Sequence, residues 1–436
     1  MKKLLCRLTG LEESQLRPAC FAALYIFCIL TGYYVIKPLR DDVGLLLGTD
    51  FQTKLFVGTL IAMTVVNPIF GYLMNRFSRL TFIRLTYRFF ALNILGFIVI
   101  FKYLVSTGQM PETGKAVEVA GVAFGVGVAF FIWVSVFNLF ATSIFWAFLA
   151  DLYNSRESKK LFGFVGAGGT LGQLVGSFLT KTLVDDIGPT NLLFLSVVSL
   201  EMAVFAMNRL AQNYEEPERP PEEDKPNALS GVSDILKSPY LLGICLYLLI
   251  YSFTSSFLWF QKQYIVAETL TSRVDRVDFY STVNLITSTL TLIIQLFLTG
   301  RLLPLIGLTA GLSLVPVVTT VGFLVLGFNK GLYLLAAVEI CRYTCNYGVS
   351  RPSREILYTV VSRREKYLSK SFIDTFVYRA GDTIASGAVE AIRAFTSSLQ
   401  AISLVAVPFG LAFIGVAIGL GRAQNRRAEA LEVSDA

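Results

Sequence analysis

The side chains able to do chemistry in this chain sit inside long apolar runs, where a charge at the centre of a bilayer costs roughly 3 kcal/mol. Five clusters stand out. Lys37 and Arg40, in Tyr33-Tyr34-Val35-Ile36-Lys37-Pro38-Leu39-Arg40-Asp41-Asp42, are three apart and can share a helix face, with Pro38 placed to bend it. Two inward cations could grip an anionic solute; alternatively they close a helix end by pairing with Asp41 and Asp42. Arg88, with Asn93 further in, reads as a second anion-binding cation or as an arginine snorkelling one turn beyond Arg84. Asn138 and Thr142 lie one turn apart in a run that ends at Asp151, and suit a polar substrate contact or an interhelical hydrogen bond. Glu339 and Arg342, three apart, can neutralise one another or serve a site, and Asn346, Arg351, Arg354 and Glu355 follow. In Asp374, Tyr378, Arg379 and Asp382, the last two can pair at i,i+3, which leaves Asp374 the freer acid.

Other chemistry is excluded or weakened. Histidine is absent, so a Ser-His-Asp triad is impossible, and any proton relay must run through carboxylates such as Asp374 or Glu339. Cys341 and Cys345 are one turn apart but have no histidine to complete a zinc site; the six cysteines read as packing residues. Gly166-Ala167-Gly168-Gly169 is followed by no Gly-Lys-Ser/Thr, so it is not a phosphate loop. The opening Met1-Lys2-Lys3-Leu4-Leu5-Cys6 has too short an apolar core for a signal segment. No metal, cofactor or enzymatic activity is expected. The net charge of +7 is spread along membrane edges, which argues against a nucleic-acid partner.

The elements that must position these residues follow from composition. Of 436 residues, 54% are hydrophobic and 16% charged, against roughly 25% charged in a soluble domain. Blocks such as 21–36, 55–74, 119–150 and 401–420 approach or exceed the roughly 20 residues that cross a bilayer, where the backbone must satisfy its own hydrogen bonds as helix. The spacing predicts an all-α membrane protein of about 12 transmembrane helices. The first six fall at 20–38, 53–75, 81–104, 120–150, 161–184 and 190–211. The second six fall at 239–261, 277–299, 303–327, 331–350, 368–389 and 396–421. An N-terminal bundle (1–211) and a C-terminal bundle (239–436) are therefore expected, joined by an acidic, proline-rich linker (212–238). Most of the 38 basic residues then fall on one side, which places both termini and the linker in the cytoplasm of an inner bacterial membrane.

Six-plus-six helices around such a linker is the layout of the major facilitator transporters. The turn Gly71-Tyr72-Leu73-Met74-Asn75-Arg76-Phe77-Ser78-Arg79 resembles their G-x-L-x-D-R-x-G-R loop, with a degenerate echo at Gly300-Arg301-Leu302-Leu303-Pro304-Leu305-Ile306-Gly307. Gly168, Gly172 and Gly176, four apart, suit close helix packing or a hinge.

Further segments resemble the ATP/ADP translocase-type nucleotide transporters, in their bacterial, major-facilitator-like branch. They are Tyr34-Val35-Ile36-Lys37-Pro38-Leu39-Arg40-Asp41, Phe145-Trp146-Ala147-Phe148-Leu149-Ala150-Asp151, Lys160-Leu161-Phe162-Gly163 and Ser238-Pro239-Tyr240-Leu241-Leu242-Gly243. Gln295-Leu296-Phe297-Leu298-Thr299-Gly300-Arg301, Arg351-Pro352-Ser353-Arg354-Glu355 and Phe372-Ile373-Asp374-Thr375 complete the set. The resemblance implies a central cavity with cations for phosphates. It places family positions near Lys37 and Arg40, at Asp151, and at Arg354 with Glu355. Nucleotide exchange or proton-coupled nucleotide uptake by alternating access is then the expected function. Arg88, Asn138 and Arg342 are added as binding residues, and Glu339, Asp374, Arg379 and Asp382 as coupling or charge-pair residues. Another organic anion or metabolite is the alternative substrate, and a non-transporting membrane sensor the alternative role. The expected partners are a small anionic solute, protons and the lipid bilayer, with one chain acting as a monomer.

Overall fold

The computed structural model describes residues 13–112, 118–152, 155–213, 235, 237–297, 299–361, 376–396 and 398–435. Asp374 and most of the linker expected at 212–238 lie outside them. Regular structure among the described residues is helical, as expected from the apolar blocks. In the first half these helices are α1 (Glu13–Leu46), α2 (Gln52–Arg76), α3 (Arg79–Ser106) and α4 (Gly121–Leu152). Ser155–Leu210 is one helical stretch broken at Gly188, giving α5 (155–187) and α6 (189–210). The second half holds α7 (Pro239–Thr269), α8 (Arg273–Phe297), α9 (Thr299–Phe328), α10 (Leu332–Cys345), α11 (Arg351–Leu357), α12 (Tyr378–Phe395) and α13 (Leu399–Asp435).

Among the described residues, nine helices are long and apolar enough to cross a membrane. One of these, Phe164–Leu210, contains the Gly188 break and has 47 residues, about 70 Å of helix against a hydrocarbon core of about 30 Å, so it holds two crossings. Gly188 takes φ 77°, which glycine adopts freely, and Pro189 follows where a helix start needs no N–H. Glu112 then caps α6, accepting from the Thr190 amide at 3.1 Å and its hydroxyl at 2.8 Å. The spans expected at 331–350 and 368–389 are less regular. The first is α10, a π-helical turn at Asn346–Ser350, and then α11. The second appears in its later part as α12, which carries four charged side chains and so reads as less apolar.

The three glycines of α5 lie against the backbone of α1. A Cβ at Gly172 would sit 2.3 Å from the Phe27 carbonyl oxygen, one at Gly176 2.5 Å from that of Thr31, and one at Gly168 2.7 Å from that of Ala23. Ala23, Phe27 and Thr31 are themselves four apart, so the two stripes match turn for turn. Thr31 Oγ1 donates to the Gly172 carbonyl at 3.2 Å. The second half has a similar approach: Gly381 of α12 would place a Cβ 2.8 Å from the Leu249 carbonyl oxygen of α7. That contact brings the charged face of α12 onto the hydroxyl-rich middle of α7.

The chain divides into two compact units. The first is Met1–Glu218 with Leu270–Thr289; the second is Arg219–Thr269 with Leu290–Ala436. Most of α8, through Thr289, therefore belongs with the first unit, although it follows the linker in sequence.

Candidate functional site

In the first unit, the polar residues of α1 meet those of α8. Arg273 and Asn284 are three turns apart on α8 and so share a face. Arg273 Nε lies 2.7 Å from Asp42 Oδ2, both side chains being almost wholly buried, and its Nη1 donates to the Pro111 carbonyl at 2.5 Å. Asn284 Oδ1 accepts from Lys37 Nζ at 2.8 Å. Asp278 and Thr282, one turn apart on another face of α8, both accept from Lys181 Nζ of α5, at 2.9 and 2.8 Å. The start of α8 is thus clamped by α1 on one side and α5 on another. Lys37 also lies over the Tyr34 ring at 5.0 Å, and Arg40 over Phe131 at 4.4 Å, with its Nε 3.5 Å from Asp41 Oδ1.

In the second unit, α7 supplies Tyr251-Ser252-Phe253-Thr254-Ser255-Ser256, a polar stretch in an otherwise apolar helix. Arg342 of α10 reaches into it and is fully buried. It donates to Thr319 Oγ1 at 2.9 Å, Ser255 Oγ at 2.6 Å, the Tyr251 carbonyl at 3.2 Å and Thr254 Oγ1 at 3.3 Å. All four acceptors are neutral. Arg354 of α11, also buried, donates to the Tyr378 hydroxyl at 2.7 Å. The two guanidinium groups lie 5.1 and 5.0 Å from the centre of the same Tyr251 ring. The carboxylates nearby are engaged elsewhere. Asp382 accepts from Ser252 and Ser256, each at 2.6 Å, and lies 3.3 Å from Arg379. Glu339 accepts from Lys262 Nζ at 2.8 Å in a buried pair. The mutual neutralisation of Glu339 and Arg342 open to the sequence does not form: α7 offers Glu339 a cation and Arg342 a row of hydroxyls. Among the described residues, Glu339 and Asp382 each have a basic partner, while Arg342 and Arg354 have no acidic one.

The remaining predicted residues are dispersed. Arg88 is exposed on the outside of α3, with its Nε 3.8 Å from Glu201 of α6. Asn138 is half-buried in α4, where its carbonyl accepts from Thr142 Oγ1 at 2.7 Å within the helix. Asp151 lies in the last turn of α4, and Glu355 is exposed on α11. Lys262, Arg273, Asp278, Lys181 and Tyr251 were not singled out from the sequence. Lys262 falls one residue past the expected end of its span at 261, and Arg273 precedes the expected start of the next at 277. Helix α7 runs on past Lys262, and α8 begins as early as Arg273, because buried partners receive the charges.

Known proteins give the arrangement a context. The chain is similar to a solved bacterial homologue of the human lysosomal transporter Spinster, in an inward-facing and unoccupied conformation. The identity is 13% and the TM-score 0.55, over 94% of this chain and 97% of that one. It is also similar to an auto-inhibited POT family peptide transporter, at 13% identity and a TM-score of 0.62 over the same shares. No curated protein matches it. Identities this low speak for the fold alone. A family model, however, matches residues 19–354, most of the chain and parts of both units. With helical spans of membrane length throughout, the chain belongs to the Major Facilitator Superfamily, whose members are membrane transporters that work by alternating access.

Proposed function

We propose that this protein is a secondary transporter of anionic solutes, with nucleotides or related phosphate-bearing compounds as its leading substrate class. The observation that carries this reading is the pair of buried arginines, Arg342 and Arg354, about Tyr251, with neutral partners among the described residues. A buried cation without an anion is costly, and a guanidinium matches phosphate through parallel N–H donors. Hydroxyls are adaptable partners that an arriving anion can replace. The segments resembling nucleotide translocases support the phosphate-bearing class, and Lys37 and Arg40 supply further cations in the first unit.

In this reading the halves 1–211 and 239–436, joined by the linker 212–238, expose a midplane site to each side of the membrane in turn. Lys37, whose Nζ donates to Asn284 Oδ1, is a candidate anion-binding residue of the first unit. Glu339, held by Lys262, and Asp382, held by Arg379, are the carboxylates available for proton coupling, together with Asp374. The protein resides in an inner bacterial membrane with both termini in the cytoplasm. Neither a cofactor nor a catalytic step is required.

Ligand-dependent thermal stability of the purified protein tests the anion reading. Nucleotides should raise the melting temperature, the matched nucleosides should not, and Arg342→Gln should abolish the shift. Equal shifts with nucleosides and nucleotides would contradict it. A shift with non-nucleotide anions alone would favour the second reading, another organic anion on the same scaffold. That reading draws on the superfamily-level match, which carries no substrate preference.

A further inference from the structure

Arg88 and Glu201 form a charge pair on the outer surface of the first unit. Their side chains are 58% and 50% exposed, and among the described residues each has the other as its ion-pair partner, at 3.8 Å. The exposed side chains around them are apolar, including Leu85, Phe89, Leu92, Val198, Met202 and Phe205. Arg88 is nine residues from the start of α3 at Arg79, and Glu201 nine from the end of α6 at Leu210. Each is therefore about 14 Å along its helix from the same end; the 28 residues of α3 span about 42 Å, about 12 Å more than a hydrocarbon core of about 30 Å, so the pair lies inside the hydrocarbon even when that excess is shared between the two ends. Nearer that end, one turn along α3 and two along α6, Arg84 Nε donates to Asn208 Oδ1 at 2.7 Å, which sets the register of α3 on α6. A charge pair half-exposed within the hydrocarbon is expensive and calls for a cover.

We infer that the α3–α6 face is the contact surface of a homodimer, with a second copy of this chain as the occupant. Charge complementarity selects that occupant. One positive and one negative group stand side by side at the same depth, on neighbouring antiparallel helices. A two-fold axis along the membrane normal brings Arg88 of each copy to Glu201 of the other, so the patch is complementary to itself. Four charges then satisfy one another away from lipid, and the apolar side chains around them meet across the axis. The inference is independent of the substrate reading and replaces the monomer expected from the sequence; each copy keeps its own transport site.

The test is subunit counting by single-molecule photobleaching of the full chain in dilute liposomes, with co-purification of two differently tagged forms. The wild type should bleach in two steps. Arg88→Gln and Glu201→Gln should each shift the population towards single-step bleaching. The exchanged variant, Arg88→Glu with Glu201→Arg, should pair with itself. It should not pair with the wild type, because mixed dimers oppose Arg88 to an arginine and Glu201 to a glutamate. Mixed pairs should fall at least about tenfold below random pairing. Single-step bleaching of the wild type would overturn the inference, whether lipid headgroups or another membrane protein were found on this face. Free mixing of the exchanged form with the wild type would overturn it equally.

Discussion

A guanidinium buried among hydroxyls has a different job from one buried against a carboxylate, and both kinds occur in the two unit interiors. Arg273 is matched by Asp42, so its role is to hold α8 to α1. Asp42→Asn should lower stability by about 3–5 kcal/mol, because it leaves a buried charge without its partner. Adding Arg273→Gln should recover most of that loss, as read by thermal unfolding in detergent; equal losses in the single and double variants would contradict the pairing. Arg342 is matched by no acid among the described residues, so its role is open to a ligand. Arg342→Lys keeps the charge but loses the planar fork, and should raise the KM for a phosphate-bearing substrate at least about tenfold with folding retained. Lys37→Ala should abolish uptake while leaving expression intact, and unchanged uptake would remove Lys37 from the site. The sequence showed Lys37, Arg40, Arg342, Arg354, Arg379 and Asp382 because charges in apolar runs are conspicuous. It did not show which acid each base would meet. Such partners come from distant helices: Lys262 lies far from Glu339 in sequence, and Arg273 far from Asp42.

Helix packing makes its own demands. The glycine stripe of α5 lets its backbone touch that of α1, and a side chain larger than hydrogen has no room there. Gly172→Leu should separate the two helices and destabilise the protein by about 3 kcal/mol or more, since the obstacle is backbone that cannot turn aside. Gly166→Ala, where the space is open, should change the melting temperature little and serves as the control. Comparable losses in both would mean that the stripe is not a packing surface. Spans of this kind were legible in the sequence because a long apolar run satisfies its own backbone in lipid only as helix. Helix ends were less so. Hydropathy falls at Lys262 and Arg273, yet α7 continues past the first and α8 starts at the second because the charges are buried against partners instead of water. The tenth span was similarly masked as to shape: a run of ordinary residues, Asn346–Ser350, winds as π-helix between the two arginines of the site. Single π turns often mark functional positions in membrane and soluble helices alike.

For the molecule as a whole, the helical spans of membrane length and the match over residues 19–354 agree with the family expected from the loop at Gly71–Arg79, and with transport as its work. Substrate identity belongs to a finer level. In the proposed reading it depends on a few side chains from α7, α9, α10, α11 and α12, whose convergence no linear motif encodes. The central claim is that those side chains serve an anion, and uptake of labelled ATP and ADP into proteoliposomes, with and without internal nucleotide, tests it most directly. The account predicts uptake by the wild type that is lost in Arg342→Gln protein shown to be folded. A requirement for internal nucleotide would define exchange, and a response to a pH gradient in empty vesicles would define proton-coupled import. Folded wild-type protein that moves neither nucleotides nor any other anion of a wider panel, while moving a neutral or cationic solute, would contradict it.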